Sequence, residues 1–355
     1  MDKIKVAIAG IGNCASSLVQ GVEYYKNVDE KSGFVPGILH NIFGGYKIKD
    51  IEFVAAFDVD KNKVGKDLSE AIFTIPNCTL KFSKVPNLGI KVERGPLIDG
   101  LGENLRGVIP VDTHQEAVNI ADVLKKRGTD ILINYLPTGS KKASEFYAEH
   151  ALTAGCGFIN GIPESIASDP EWGKRFKNAG LPLAGDDIKS QVGATIVHRT
   201  LIDLFIKRGV KIEESYQVNT GGNTDFYNLS EKTRSESKLT CKYAAIQSLI
   251  PYKTSVIISP SNYVEFQGDN KICYITLKGR IFGGAPLTID VKLNVEDSPN
   301  SAGVMIDVIR AMKIACDKGI SGPLTDICAY YFKNPPEPCS DEDAYRKVKK
   351  FIGRS

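Results

Sequence analysis

"KIKVAIAGIGNCASSLVQGVEYY" (residues 3–25) decides the fold. Residues 4–9 are apolar with little alternation, as in a strand buried on both faces. A glycine turn and a helical pattern follow. Gly10-Ile11-Gly12-Asn13-Cys14-Ala15 fits G-x-G-x-x-A between strand and helix. There the first glycine permits the tight turn and the second lets a pyrophosphate approach the backbone. The alanine allows close helix–strand packing, while the helix amides face the anion. The plainer alternative is a tight turn whose glycines are only structural. "IEFVAAFDVD" (51–60) reads as a second strand. At its end Asp58 can take ribose hydroxyls. It lies beyond the usual ~20 residues because glycine-rich residues 26–50 intervene, read as an insertion loop with one short helix. An aspartate here favours NAD over NADP, whose 2′-phosphate it would repel.

Outward from that unit the alternation continues. A helix pattern runs to residue 73, "GVIPVD" (107–112) reads as a strand, and "HQEAVNIADVLKKRG" (114–128) as a helix. "DILINYLP" (130–137), "CGFIN" (156–160) and "LPLAG" (181–185) read as strands separated by helices at 140–155 and 169–180. Strand–helix alternation predicts an α/β fold, a Rossmann-type doubly wound parallel sheet. Beyond about residue 210 the texture changes. "VKIEESYQVNT", "TSVIISP", "NYVEFQ", "KICYITLKGRIF" and "APLTIDVKLNV" read as strands of an antiparallel α+β segment. "SAGVMIDVIRAMKIACDKG" (301–319) is a strong amphipathic helix, and a charged helix finishes the chain.

The bulk composition narrows the function. The formal net charge of +3 over 355 residues gives no whole-protein field for a polyanion, so nucleic acid is not expected. No apolar run approaches the ~18 residues of a membrane span, so no membrane partner is expected. The eight cysteines are scattered and form no C-x-x-C pair. With no export signal, this predicts a cytoplasmic protein with reduced thiols. No Cys/His group has zinc spacing.

Two polar stretches stand out. "GDDIKSQVGATIVHR" (185–199) places Asp186, Asp187 and Lys189 before a helix pattern. The plain reading makes Asp187 and Ser190 helix caps. "GGNTDFYNLSEKTRSESKLTCK" (221–242) places Lys238 and Lys242 four apart, on one face of a helix. Two such ammonium groups repel and favour loss of one proton, which predicts a lowered Lys238 pKa beside Lys242. Lys271 lies beside Asp269 in "GDNK", Asp297 precedes a helix, and Lys333 sits in the apolar, proline-bound "YYFKNPP". The plain readings are a solvated lysine face and a cap.

Together these stretches resemble the myo-inositol-1-phosphate synthases, in their shorter bacterial and archaeal branch. The matching segments are residues 10–25, 185–195, 221–242, 297–304 and 329–338, in family order across almost the whole chain. The resemblance implies NAD-dependent conversion of glucose 6-phosphate to 1D-myo-inositol 3-phosphate in a homotetramer. It implies an NAD-binding Rossmann domain at 1–195, an α+β domain for catalysis and tetramer assembly at 196–310, and a C-terminal segment at 311–355 returning to the first domain. By that match Lys238 serves proton transfer at the C5 oxygen. Lys242, Lys271 and Lys333 hold the phosphate and carbonyl oxygens, and Asp225 and Asp297 line the site. Asp187, Lys189 and Ser190 lie where cofactor meets sugar. The nucleotide side comprises Gly10, Gly12, Asn13, Cys14, Ala15, Asp58 and Asn134. At most a loosely held cation is expected, with its ligands unknown. The sequence leaves open whether the substrate phosphate or a lysine takes the C6 proton. Two other readings stay in view: an ordinary NAD-dependent dehydrogenase, which would produce net NADH, and a non-catalytic NAD-binding protein.

Overall fold

The computed structural model describes residues 2–353. β1 (Ile4–Ala9), buried save for Lys5, passes through the glycine turn into α1 (Asn13–Tyr25). The 26–50 insertion is a loop with one short 3-10 turn, Ile48–Asp50. β2 (Ile51–Asp58), α2 (Leu68–Ala71), β3 (Val92–Arg94) and α3 (Glu103–Arg106) come next. Then α4 (Ile120–Arg127), β4 (Ile131–Asn134), α5 (Lys141–Ala154), β5 (Gly157–Asn160), α6 (Pro170–Asn178) and β6 (Pro182–Ala184) alternate. The second half carries α7 (Ala194–Lys207), β7 (Lys211–Gly221), α8 (Thr224–Leu229), α9 (Lys232–Gln247), β8 (Ser255–Tyr263), β9 (Asn270–Arg280) and β10 (Pro286–Glu296). α10 (Asp297–Asp317), β11 (Gly322–Pro323), α11 (Thr325–Tyr331) and α12 (Asp341–Gly353) complete it.

The first sheet has seven strands in the order β11-β6-β5-β4-β1-β2-β3, every pair parallel. The α/β, Rossmann-type reading therefore holds. The sheet is apolar on both faces because both are covered. Ile4, Val6 and Ile8 of β1 pack with α1 and α10, while Ala7 and Ala9 pack with Leu124, Tyr147 and Phe176 of α4, α5 and α6. The order changes direction between β1 and β4, which opens a crevice above their carboxyl ends.

The second sheet, β10-β9-β7-β8, lays one face on α7 and α9 through Ile212, Cys273, Ile275 and Leu277. It corrects the all-antiparallel expectation: β8 pairs parallel to β7. A parallel return needs a long crossover, and α8 and α9 provide it. "TSVIISP" and "NYVEFQ" are likewise one strand, β8, with a 3-10 turn at Glu265–Gln267.

Two other expectations fail for local reasons. "GVIPVD" is no strand: β3 takes the place beside β2, and Val111 makes only an isolated bridge to Asp60. Pro110 also lacks an amide to donate. The helix expected from 114 starts only at Ile120. Asp112 Oδ1 accepts from the amides of His114 (2.8 Å) and Gln115 (2.9 Å), a local turn that competes with helix. Asn119 then caps α4 from its side chain.

A buried ion pair ties the insertion loop to the core. Arg310, fully buried in α10, pairs with Asp307 and donates to the carbonyls of His40 (2.7 Å) and Asn41 (3.1 Å). Arg310→Met should cost about 3–5 kcal/mol in a urea melt, because Asp307 is left buried without its cation. Adding Asp307→Asn should recover part of that. Equal stability of wild type and single mutant would show that the pair does not hold the loop.

Candidate active site

One continuous cleft runs from the glycine turn of β1–α1 to the lysines of α9, β9 and the segment after α11. At its nucleotide end Gly10 has φ 89°, and a Cβ there would meet the Tyr135 carbonyl oxygen at 2.5 Å. Gly12 is different: a Cβ on it would meet nothing within 4 Å. Space, not packing, keeps that position small, as a docking anion requires. No side chain caps α1, so its first amides remain open to a ligand. Asp58 lines the cleft and fixes the turn. Its Oδ2 accepts from the Ile11 amide (2.8 Å), and its Oδ1 from those of Val59 (2.7 Å) and Asp60 (2.9 Å). Asn13 spends its Oδ1 on the amides of Cys78 (2.7 Å) and Thr79 (3.1 Å), tying the 77–79 segment to the turn. Cys14 and Ala15 line the same wall. Burial, with Asp269 and Asp297 nearby, pushes the Cys14 thiol up to about 12, so it is no nucleophile.

The other end holds a charge cluster. Lys238 pairs with Asp225, Lys271 with Asp297 (3.0 Å) and Lys333 with Asp187 (2.7 Å). Thr138 Oγ1 also donates to Asp225 (3.0 Å). Lys242, 5% exposed, has no hydrogen-bond or ion-pair partner among the described residues. Burial lowers its pKa to about 7, helped by the charges of Lys271, Lys238 and Lys333. Lys238 goes the other way. Burial pulls it down, but Asp225, Asp187 and Asp297 outweigh that and hold it above the ordinary lysine value. The lysine with the lowered pKa is thus Lys242, which corrects the expectation for Lys238. The reason is that Lys238 has a carboxylate and Lys242 has none.

The 185–193 loop explains its own acids. It is not a cap: α7 starts after Gly193, with no side-chain capping bond. Asp186, fully buried, accepts from Asn160 Nδ2 (2.7 Å), from the amides of Ile166 (3.1 Å), Ala167 (3.0 Å) and Ser168 (2.9 Å), and from Ser168 Oγ (2.7 Å). Residues 186–189 then pair with 331–334 as short antiparallel strands. Asn334 N–H donates to Asp186 O (3.1 Å), Lys333 N–H to Asp187 O (2.8 Å) and Lys189 N–H to Tyr331 O (2.8 Å). Asp187, at a left-handed φ of 59°, breaks the extended run and turns its side chain into the cleft, with one oxygen, Oδ2, buried without a hydrogen-bond partner. Ser190 lines the cleft as well. Lys189 faces away. Its ammonium donates to the Ala329 carbonyl (2.9 Å) and lies 3.5 Å from Asp341, beside Arg199 in a separate small pocket. Asn134 is also absent from the cleft wall: its amide is buried on Ser144 and Asn160 (both 2.9 Å). These two side chains do not line the cleft: the left-handed turn at Asp187 leaves Lys189 on the far side, held by Ala329 and Asp341, and a core hydrogen-bond network absorbs Asn134.

The comparisons with known proteins come down on one family. A family model described as Myo-inositol-1-phosphate synthase matches residues 193–298. The chain is 50% identical to the inositol-3-phosphate synthase of Corynebacterium glutamicum, over 98% of each chain. It is also 50% identical to that of Mycolicibacterium smegmatis, over 99% of this chain and 98% of the relative. The chain belongs to the inositol-3-phosphate synthase family. The crystal structure of Ari2 is similar to it too, with a TM-score of 0.81 at 34% identity over 99% of each chain.

For this family member the sequence reading missed Lys63, Thr138, Asn223 and Ser298, all of which line the cleft. Asn223 has a sequence signal, as the N-cap of α8 two residues before Asp225.

Lys242 has a measurable cost. The unfolded chain keeps this proton up to the ordinary lysine value of 10.5, whereas the folded chain releases it at about 7. Between those values the unfolded state binds more protons, so raising pH favours the fold. The penalty for the buried ammonium is whole below about pH 7 and fades toward 10.5. Lys242→Met should therefore stabilise the ligand-free protein at pH 6.5, by on the order of 1–4 kcal/mol, and by less at pH 9. Denaturant melts at the two pH values read this directly; a destabilised mutant at both would refute it.

Proposed function

We propose that this cleft carries out the family reaction with NAD held at the glycine turn and the sugar phosphate among the four lysines. The chain is an enzyme of inositol biosynthesis that cyclises glucose 6-phosphate to inositol 3-phosphate. One observation carries the division of labour: three lysines are each matched to a carboxylate, and a fourth, buried one is not.

Gly10, Gly12, the α1 amides and Asp58 suit NAD: open space over Gly12 for the diphosphate, and a fixed carboxylate for the ribose. Bound there, NAD supplies a hydride acceptor at C5 and later a donor, so the cycle closes without net redox. Lys242, neutral in part near pH 7, accepts the C5 hydroxyl proton. Lys238, Lys271 and Lys333 each have a carboxylate partner. They hold the phosphate and the oxygens that become anionic during enolisation and aldol closure. Asp225, Asp297 and Asp187 keep those ammonium groups in place until substrate arrives. At most a loosely held cation belongs to this reading, with no ligands assigned to it.

The division at residues 195 and 310 remains our domain reading, with the middle part assembling a homotetramer. Supporting it, the second sheet leaves Tyr216, Ile257 and Tyr274 exposed on the face away from α7 and α9. Cytoplasmic action is part of the same proposal. Among the described residues no helix is long and apolar enough to cross a membrane.

Phosphorus and proton NMR after incubation with glucose 6-phosphate and NAD tests the reaction; net NADH without inositol phosphate would favour a plain dehydrogenase. Lys242→Ala should lower kcat about 10²–10⁴-fold. In the wild type kcat/KM should rise with pH through about 7, since only the neutral amine accepts a proton. A flat profile from pH 6 to 8 would return the proton to another group. Light scattering should give the mass of four chains, and a monomer would end the assembly proposal.

A further inference from the structure

The cleft wall holds a second buried ammonium without a carboxylate partner, at its opposite end. Lys63 is 3% exposed and lines the cleft beside the glycine turn. Its Nζ donates to the Ile11 carbonyl (2.8 Å) and to Asn77 Oδ1 (3.1 Å). Both acceptors are neutral. An ammonium has three donors, so one remains. Of the neighbouring acids Asp58 is engaged by backbone amides, while Asp60 keeps one oxygen, Oδ2, buried without a hydrogen-bond partner. Asp58 receives the Ile11, Val59 and Asp60 amides, and Asp60 Oδ1 receives that of Asn62 (2.9 Å). Among the described residues neither makes an ion pair or hydrogen bond with the Lys63 ammonium, and Asp60 feels its charge only at longer range.

A charge taken out of water without a counter-ion is costly unless a ligand brings one. The surroundings say what that ligand's chemistry is. Ile11 joins the two glycines of the turn, and the space over Gly12 is open. The uncapped end of α1 adds partial positive charge at the same place. Asn77 also donates its own amide to the Ile11 carbonyl (3.0 Å), so lysine and asparagine hold the Ile11–Gly12 peptide while Asp58 holds the preceding Gly10–Ile11 peptide by its N–H.

We propose that Lys63 is a cofactor-binding residue that offsets the phosphate charge of the ADP half of the dinucleotide. This rests on the reading that a dinucleotide occupies the glycine turn. It assigns the anion's neutralisation to a side chain on the β2–α2 connection, with the helix amides as partners. The nicotinamide end is served by other residues, so the effect of Lys63 belongs to the phosphates.

Titration calorimetry with the full chain tests this, using ADP-ribose, ADP and adenosine as probes. Lys63→Gln keeps a donor for Ile11 and removes the charge. It should weaken ADP and ADP-ribose by on the order of 10- to 100-fold, leave adenosine nearly unchanged, and flatten the salt dependence of ADP binding. Equal losses for ADP and adenosine would reduce Lys63 to a structural prop and overturn the inference. Unchanged ADP affinity would overturn it as well. Should Lys63→Gln not fold, Lys63→Arg carries the test: the retained charge must keep the preference for ADP over adenosine, and its collapse counts against the proposal. If wild type itself binds neither ADP-ribose nor NAD, the dinucleotide reading fails first, and this inference with it.

Discussion

The buried carboxylate of Asp186 is the constraint on which the catalytic end depends. It gathers three backbone amides and two side-chain donors from β5 and the residues after it. Burial still pushes its pKa up to about 6 despite those bonds. Residue 186 is thereby fixed against the sheet, and the next residues have one way to run. They pair with 331–334, and that pairing alone brings Asp187 opposite Lys333. Asp187 accepts a left-handed φ to get there, a conformation that costs on the order of 1–3 kcal/mol for a residue with a side chain. The two halves of an ion pair 146 residues apart thus share one anchoring point.

The charge arithmetic of the cleft follows from that geometry. Three lysines are each matched to a carboxylate, which offsets the cost of burying them. Their combined field falls on Lys242, which sits among them with no acid of its own. Burial is the larger cause of its lowered pKa, and the three neighbouring ammonium groups, one of them on α9 itself, add to it. Spacing on a helix places Lys238 and Lys242 together but says nothing of which one finds a carboxylate. That is settled by Asp225, on a different helix.

The same distinction marks what the sequence could tell. The β1–turn–α1 unit is legible because every requirement is local: an apolar run, two glycines with different tasks, and a small residue at the helix start. The alternating strands and helices to residue 185 are legible for the same reason, apart from β3 and α3, which lie in a stretch with no clear period, and from 107–119. There a proline and the Asp112 turn act against a pattern that looked regular. The direction of β8 was not legible, since a strand's residues do not record which way its neighbour runs. Among site residues, the charged ones inside long polar motifs were found, while the neutral Asn223 and Ser298 in the same motifs were not. Lys63 was missed because it stands alone in "DVDKNK", where lysine is ordinarily a solvated turn residue.

β11 adds only two residues to the first sheet, yet it closes the edge at β6, and α10 covers the face that α1 shares. Both arrive after residue 296 in the chain. During synthesis the N-terminal strands must therefore wait, with one apolar face covered only in part by α1, until nearly the whole protein has left the ribosome. The nucleotide half cannot mature as an independent early unit, although its sequence motif comes first. The intervening segment is held at both ends by the layer it interrupts, so birth order and structural order run opposite ways in this chain.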